Sequence, residues 1–145
     1  EPCMSINILA LGNSTVGKTC YLIRNTKNIF EIDLATIGYN ILKKKVELKD
    51  GKIVNVKYYD TSGQERYHSL APNIIKRADG IILMYDITNR ESFNSISKWW
   101  DDILKNKEEG FPIILIGNKA DLEEEREVQR ENHLNHNFVY IYCHI

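Results

Sequence analysis

The sequence lacks the features that mark a secreted protein or a nucleic-acid-binding protein. It has only three cysteines, Cys3, Cys20 and Cys143, which are too few and too scattered for a disulfide framework or a zinc cluster. We therefore expect reduced thiols in a cytosolic protein. The formal net charge of −1 gives no electrostatic reason to expect a nucleic acid or an acidic membrane surface as a partner.

Long apolar runs and repeats are also lacking. No run is long enough to span a bilayer, and no signal peptide is visible, since Glu1-Pro2 precedes only a short apolar run. The nearest approach to low complexity is Glu123-Glu124-Glu125, which we interpret as a solvated turn or helix start. The length of 145 residues suits one domain with a sizeable core.

A glycine-containing loop at residues 12–19 fits the pattern G-x-x-x-x-G-K-S/T. An apolar run at residues 6–11 predicts a buried strand before it, and a helical pattern follows it. This setting predicts a phosphate-binding loop, whose N–H groups form an anion site at a helix N-terminus. Lys18 supplies positive charge for β- and γ-phosphates, and the Thr19 hydroxyl can ligate a bridging Mg²⁺. The context disfavours an accidental match.

The following segment, residues 28–38, has no regular period and is interpreted as a loop. Within it, Phe30 can either lie on a nucleotide base or anchor the loop. Thr36 can be a second hydroxyl ligand of Mg²⁺ or a residue that enters a strand.

A hairpin is predicted around Asp50-Gly51, and its second strand ends in Asp60. An acidic residue at the carboxyl end of a strand faces the ligand crevice of an α/β sheet, so Asp60 can hold Mg²⁺ through water. The Gly63 N–H can reach a γ-phosphate, and Gln64 can orient an attacking water. Read without the phosphate-binding loop, the same residues describe an ordinary turn.

Residues 80–86 predict another buried strand, and Thr88-Asn89-Arg90-Glu91 predicts a capping box that begins a helix. Apolar residues then recur at helical spacing as far as Leu104. They include Trp99 and Trp100, for which packing in the core is favoured over a partner surface.

A strand at residues 113–117 leads into Asn118-Lys119-Ala120-Asp121. The Asp121 carboxylate can accept hydrogen bonds from N1–H and N2–H₂ of guanine. Adenine lacks both donors, so a buried Asp121 would reject it. Asn118 can tie this loop to the phosphate-binding loop or to the base, and the Lys119 stem can lie over the purine ring.

The tail is less informative. Residues 138–143 predict a last strand, and residues 126–137 leave room for a short helix. His133, His136 and His144 lack carboxylate or cysteine partners at ligand spacing, which disfavours a metal site.

The order of these motifs resembles that of small Ras-type GTPases, and further stretches narrow the resemblance to the Rab branch. The resemblance covers about residues 5–128. The stretches are Thr36-Ile37-Gly38, Asp60-Thr61-Ser62-Gly63-Gln64-Glu65-Arg66-Tyr67, Met84-Tyr85-Asp86-Ile87-Thr88, Arg90-Glu91-Ser92-Phe93 and Lys98-Trp99.

The resemblance implies an α/β fold: a three-layer P-loop NTPase G domain with a six-stranded, mainly parallel sheet and one antiparallel edge strand. Residues 1–145 would form a single G domain without the usual last helix and tail. The domain would bind GTP or GDP with Mg²⁺ and hydrolyse GTP slowly, because no arginine finger in cis is evident. An alternative is a catalytically weak pseudo-GTPase, and a more distant one is an ATP-using P-loop enzyme.

As a Rab-like switch, the protein would regulate vesicle traffic from the cytoplasm, peripherally on the cytosolic face of an endomembrane. Membrane attachment would need a prenylated tail outside this sequence. Exchange factors, GTPase-activating proteins and effectors would bind residues 36–41 and 60–73, the two switch regions.

The resemblance also implies roles for individual residues. Catalysis would use Gln64, Lys18 and Thr36, and Mg²⁺ would be held by Thr19, Thr36 and Asp60. The nucleotide would be bound by Gly12, Asn13, Ser14, Thr15, Val16, Gly17, Lys18, Thr19, Cys20, Phe30, Thr36, Gly63, Asn118, Lys119 and Asp121.

Several positions depart from the family pattern. Thr15 replaces a common glycine and Ser62 the usual alanine, and both are expected to be tolerated. The segment at residues 30–36 is about one residue short, and residues 39–41 and Tyr59 differ at the partner-binding edge. The S-A-K loop of the family is missing near Cys143, which is not part of a prenylation box.

Overall fold

The computed structural model describes residues 4–27, 39–61, 71–130 and 139–142. The strands are β1 (Met4–Leu11), β2 (Tyr39–Glu47), β3 (Ile53–Thr61), β4 (Gly80–Asp86), β5 (Ile113–Asn118) and β6 (Val139–Tyr142). The helices are α1 (Lys18–Lys27), α2 (Ala71–Arg77), α3 (Arg90–Asn94) and α4 (Ile96–Leu104), and a short 3-10 helix spans Glu123–Glu125. Among these elements no helix has the length and apolarity needed to cross a bilayer.

The strands form one six-stranded sheet in the order β2-β3-β1-β4-β5-β6. Only β2 runs antiparallel to its neighbour, and it forms the hairpin with β3 that Asp50-Gly51 predicts. The turn residue Gly51 has a φ of 81°, a left-handed conformation that glycine adopts without steric cost. The predicted sheet of parallel strands with one antiparallel edge strand is confirmed, and so is the last strand, β6.

Alternate residues of the central strands pack on opposite faces of the sheet, because side chains along a strand point alternately to either side. On one face, Leu9, Leu83 and Tyr85 pack with residues of α2 and α4. On the other face, Ala10, Ile82 and Met84 pack with Leu22 of α1. Helices cover both faces of the sheet, which confirms the three-layer architecture.

The start of α3 corrects the predicted capping box by one residue. The N-cap is Asn89, whose side chain accepts a hydrogen bond from the Ser92 N–H. Thr88 does not cap the helix because its N–H and hydroxyl both donate to Asp86 Oδ1, at 2.8 and 2.7 Å. The predicted single helix is divided at Ser95 into α3 and α4, and helix α2 was not predicted.

The parallel strands end at one edge of the sheet, and this places the predicted site. Gly12 follows β1, which pairs with β3 so that Ala10 lies beside Asp60. Asp86 and Asn118 end β4 and β5 and are register partners. Loops that are far apart in the chain therefore meet at the carboxyl edge, where ligands bind in open α/β sheets.

Candidate functional site

The glycines of the loop are required by its close contacts. A Cβ on Gly12 would overlap the Met84 carbonyl oxygen of β4. A Cβ on Gly17 would overlap Asn118 Nδ2, and Gly17 also has a φ of 96°, a value that residues with a side chain rarely adopt. The loop can therefore pack against the ends of β4 and β5 only with glycine at these positions.

Lys18, the first residue of α1, points back into the loop. Its Nζ donates to the carbonyl oxygens of Gly12 and Asn13, at 2.9 and 2.8 Å. Only 5% of the residue is exposed. Burial lowers the pKa of Lys18 to about 8, and the nearby Asp60 carboxylate opposes part of that shift. A positive charge is thus held at the loop in a site where little water screens it.

The Thr19 hydroxyl donates a hydrogen bond to Asp60 Oδ2. Asp60 is fully buried near the end of β3, next to Thr61, whose hydroxyl donates to the Ala10 carbonyl oxygen at 2.7 Å. The hydrogen bond between Thr19 and Asp60 joins the start of α1 to the end of β3. A hydroxyl and a carboxylate side by side provide the hard oxygen donors that Mg²⁺ prefers.

The N-K-x-D loop is tied directly to the phosphate-binding loop. Asn118 is 1% exposed, and its Nδ2 donates to the Val16 carbonyl oxygen at 2.9 Å. Of the two partners predicted for Asn118, the phosphate-binding loop is the one that the structure shows. Lys119 has a φ of 63°, and its ammonium lies 2.6 Å from Asp86 Oδ2.

Asp121 lies within the turn that follows β5, and it is exposed. The sequence-based argument concerns a buried, unpaired carboxylate that faces a base, whereas in the protein alone the Asp121 carboxylate is exposed. Rejection of adenine by Asp121 would require the bound base itself to cover the carboxylate.

The exposed part of the loop contains a strained residue. Thr15 has a φ of 67°, which is an outlier for a β-branched side chain. Ser14 beside it is also exposed, Val16 is buried in the core, and Cys20 is half-buried in the first turn of α1. The substitution of Thr for the common glycine is accommodated, but with backbone strain.

Four of the predicted site residues, Phe30, Thr36, Gly63 and Gln64, lie outside the described residues. His133, His136 and His144 lie outside them as well. Within the described part of the chain, no group of three or more His, Cys, Asp or Glu side chains is arranged to hold a metal ion.

Comparison with known proteins agrees with this geometry. The Ras family model matches residues 7–143. This chain belongs to the Ras family. It is 45% identical over 125 residues to Ras-related protein Rab-15 of Homo sapiens. The matched segment covers 86% of this chain and 58% of that protein. It is 40% identical over 129 residues to Ras-related protein Rab-10 of Caenorhabditis elegans, with coverages of 88% and 64%.

A third relative, GTP-binding protein yptV2 of Volvox carteri, is 41% identical over 124 residues, with coverages of 85% and 57%. The Ras-family chain therefore spans about three fifths of the length of these relatives. These matches confirm the resemblance to Rab proteins.

Ras-family proteins bind GTP or GDP with Mg²⁺, and the described residues of this member fit both ligands. The two glycines keep the loop backbone close to the neighbouring strands, and Lys18 places a cation at that loop. Thr19 and Asp60 offer oxygen ligands at its edge. A magnesium site completed by phosphate oxygens and water needs no larger cluster of protein ligands.

The sequence-based reasoning missed three residues of this Ras-family site: Asp86, Ser95 and Trp99. Asp86 holds Lys119, and Ser95 and Trp99 both contact Asn13. The rule that singled out Asp60, an acidic residue at the carboxyl end of a buried strand, applies equally to Asp86. No sequence signal indicated the other two, because helical spacing marked Trp99 only as core.

Proposed function

We propose that this chain is a GTP-binding and GTP-hydrolysing molecular switch. The observation that carries the proposal is the buried Lys18 ammonium, which is held at the loop carbonyls next to the Thr19–Asp60 pair. An ammonium buried at this depth is costly even with two carbonyl partners and a nearby carboxylate, and the lowered pKa of Lys18 reflects that cost. Nucleotide phosphates at the loop would offset it.

Each residue would then contribute a separate function. The loop N–H groups and Lys18 would bind the β- and γ-phosphates, and Thr19 and Asp60 would hold Mg²⁺. When bound, Mg²⁺ would neutralise the charge that develops on the phosphate oxygens. Asn118 would fix the base-binding loop against the phosphate-binding loop, and Asp121 would accept hydrogen bonds from guanine.

For hydrolysis we propose that Gln64 orients the attacking water. Thr36 would add a second hydroxyl to the Mg²⁺ site, and the Gly63 N–H would bind the γ-phosphate. Phe30 would lie beside the base. Residues 36–41 and 60–73 would be ordered by GTP and relax after hydrolysis, which makes them the surface for exchange factors, GTPase-activating proteins and effectors.

We further propose that the switch acts in membrane traffic, from the cytosol or the cytosolic face of an endomembrane. The Rab relatives support this assignment. The formal net charge of −1 gives no electrostatic support for a nucleic-acid partner.

Single-turnover hydrolysis tests the enzymatic part of the proposal. Purified protein is loaded with GTP, and phosphate release is followed for the wild type, Gln64→Leu and Gln129→Leu. Gln129 is exposed and lies after the N-K-x-D loop, so Gln129→Leu is the same chemical change outside the site. We expect Gln64→Leu to slow hydrolysis about tenfold or more and Gln129→Leu to leave it unchanged. Equal, slow rates in all three would instead identify a pseudo-GTPase.

Competition between GDP and ADP tests the base assignment. We expect GDP to displace a bound fluorescent GDP far better than ADP does. Asp121→Ala should reduce that preference, whereas Asp101→Ala, an exposed change on α4, should not. Binding of ADP as tight as that of GDP would refute the guanine assignment.

A further inference from the structure

The side chain of Asn13 joins the phosphate-binding loop to the junction of α3 and α4. Its Nδ2 donates to Ser95 Oγ at 2.9 Å, and its Oδ1 accepts a hydrogen bond from Trp99 Nε1 at 3.2 Å. Both ends of one carboxamide are therefore bonded to residues more than 80 positions away in the chain.

The two partners present a single binding surface to Asn13. Ser95 and Trp99 are four residues apart, which places them on the same side of a helix. The two residues are also joined through their main chains, because the backbone N–H of Trp99 donates to the Ser95 carbonyl oxygen at 3.2 Å. Ser95 Oγ in turn donates to the Glu91 carbonyl oxygen at 3.0 Å, which fixes the hydroxyl that Asn13 meets.

Burial makes the indole bond costly to lose. Trp99 is 3% exposed within the hydrophobic core on the α4 face of the sheet. A buried indole N–H needs an acceptor, because an unsatisfied donor there carries the full desolvation penalty. Asn13 Oδ1 is an acceptor that the loop supplies to the core.

The main chain of Asn13 contacts Lys18, the residue proposed to bind the nucleotide phosphates. Its carbonyl oxygen accepts a hydrogen bond from Lys18 Nζ at 2.8 Å. One residue therefore links a helix junction through its side chain and the phosphate-binding lysine through its backbone. Any movement of Asn13 displaces one of the two carbonyls that hold the Lys18 ammonium.

We propose that Asn13 is a positioning residue, which clamps the phosphate-binding loop to Ser95 and Trp99 and thereby holds Lys18 in place for the β- and γ-phosphates. The inference rests on the proposed nucleotide-binding function. It adds a coupling between the loop and α4, by which the state of the nucleotide reaches Trp99 and the packing of α4 reaches the nucleotide.

Release of a fluorescent GDP in the presence of Mg²⁺ tests the clamp. Asn13→Leu removes both hydrogen bonds, and Trp99→Phe removes only the indole donor while it leaves the loop sequence intact. We expect GDP release to accelerate about fivefold or more in each variant, as the loss of one net hydrogen bond allows. Ile103→Val is the matched control, because Ile103 is buried on the same helix and packs in the same core.

The control separates positioning from simple loss of stability. Ile103→Val is expected to lower the unfolding temperature without changing GDP release. Asn13→Leu leaves the buried indole N–H without its acceptor and should therefore lower the unfolding temperature. The double variant Asn13→Leu/Trp99→Phe removes both polar partners, so its unfolding temperature should be higher than that of Asn13→Leu while its GDP release stays fast. If Ile103→Val accelerates release as much as Trp99→Phe, or if the double variant releases GDP at the wild-type rate, the clamp is refuted.

A spectroscopic measurement tests the coupling independently. The chain has two tryptophans and eight tyrosines, so Trp99 is the sole emitter in a Trp100→Phe background when excitation is at a wavelength that tyrosine does not absorb. We expect its fluorescence to change when EDTA releases GDP, and the change to disappear in Asn13→Leu/Trp100→Phe. If Trp99 fluorescence changes by the same amount in Asn13→Leu/Trp100→Phe, the inference is contradicted. Wild-type protein that retains no GDP would contradict the proposed function and the inference together, whereas retention of GDP with unaltered variants contradicts the inference alone.

Discussion

Lys119 and Asp86 form an ion pair across the ends of two neighbouring strands. The Lys119 ammonium lies 2.6 Å from Asp86 Oδ2, and the Asp86 side chain is only 8% exposed. The other carboxylate oxygen accepts hydrogen bonds from the Thr88 N–H and hydroxyl. Asp86 therefore fixes the direction of the Lys119 side chain, whose stem is expected from the sequence to lie over the purine ring.

Asp86→Asn should weaken GDP binding about tenfold, because a hydrogen bond to a charged group is worth about 1.5–3 kcal/mol and the amide cannot replace the ion pair. Equilibrium titration with fluorescent GDP measures this effect. Asp102→Asn is the control, since Asp102 pairs with Lys105 at 3.5 Å on the surface of α4. Equal affinities for the two variants would show that Asp86 does not position Lys119.

Gly17→Ala should reduce the free energy of unfolding and the affinity for GDP far more than Gly51→Ala does. Both glycines have positive φ values, 96° and 81°, so the backbone penalty is similar. An added Cβ meets nothing within 4 Å at Gly51, whereas at Gly17 it overlaps Asn118 Nδ2. We expect Gly51→Ala to lower the free energy of unfolding by about 1–2 kcal/mol and to leave GDP binding intact.

In Gly17→Ala, the overlap should also displace Asn118 and reduce GDP affinity by more than about tenfold. Urea unfolding and GDP titration on both variants separate the two contributions. GDP affinities that are equal in the two variants would mean that the contact between Gly17 and Asn118 has no role in binding.

The stability of the nucleotide-free protein should rise with pH between about pH 8 and pH 10.5. Burial lowers the pKa of Lys18 from 10.5 to about 8, so the unfolded chain binds more protons than the folded one in this window. Below it, the folded protein carries the full cost of the buried charge, up to about 3 kcal/mol. Above it, that cost disappears.

Lys18→Met supplies the reference for this pH dependence, because it removes the titrating group and keeps the apolar stem. We expect the variant to be more stable than the wild type near pH 8 and the difference to shrink as the pH approaches 10.5. Urea unfolding at several pH values measures it. A difference that stays constant with pH would contradict the lowered pKa.

Thr15→Gly should stabilise the protein by about 0.5–1 kcal/mol. The left-handed conformation costs a residue with a side chain about 1–2 kcal/mol, and the extra backbone entropy of glycine in the unfolded chain returns part of the gain. Thr15 is exposed, so little packing is lost. Thermal and urea unfolding are the measurements, with Thr15→Ala as the control. If Thr15→Ala stabilises the protein as much as Thr15→Gly, branching at Cβ and not the positive φ causes the strain.

The features that were predictable from the sequence are local. The phosphate-binding loop, the hairpin at Asp50-Gly51 and Asp60 at the end of β3 each depend on a few consecutive residues. The fold class was predictable for the same reason, because buried strands alternate with helices along the chain. The helix cap was wrong by one residue because Thr88 bonds to Asp86 instead, a local competition that the pattern of the capping box does not reveal.

The sequence by itself determined the motifs, their order and the α/β architecture, since backbone preferences and apolar periodicity are written into short segments. Only the tertiary structure decided which side chains meet at the carboxyl edge of the sheet. The pairing of Lys119 with Asp86 follows from the adjacency of β4 and β5. The bond from Trp99 to Asn13 joins residues 86 positions apart, through the packing of α4 beside the loop. Such contacts depend on strand order and helix placement, which no single segment encodes.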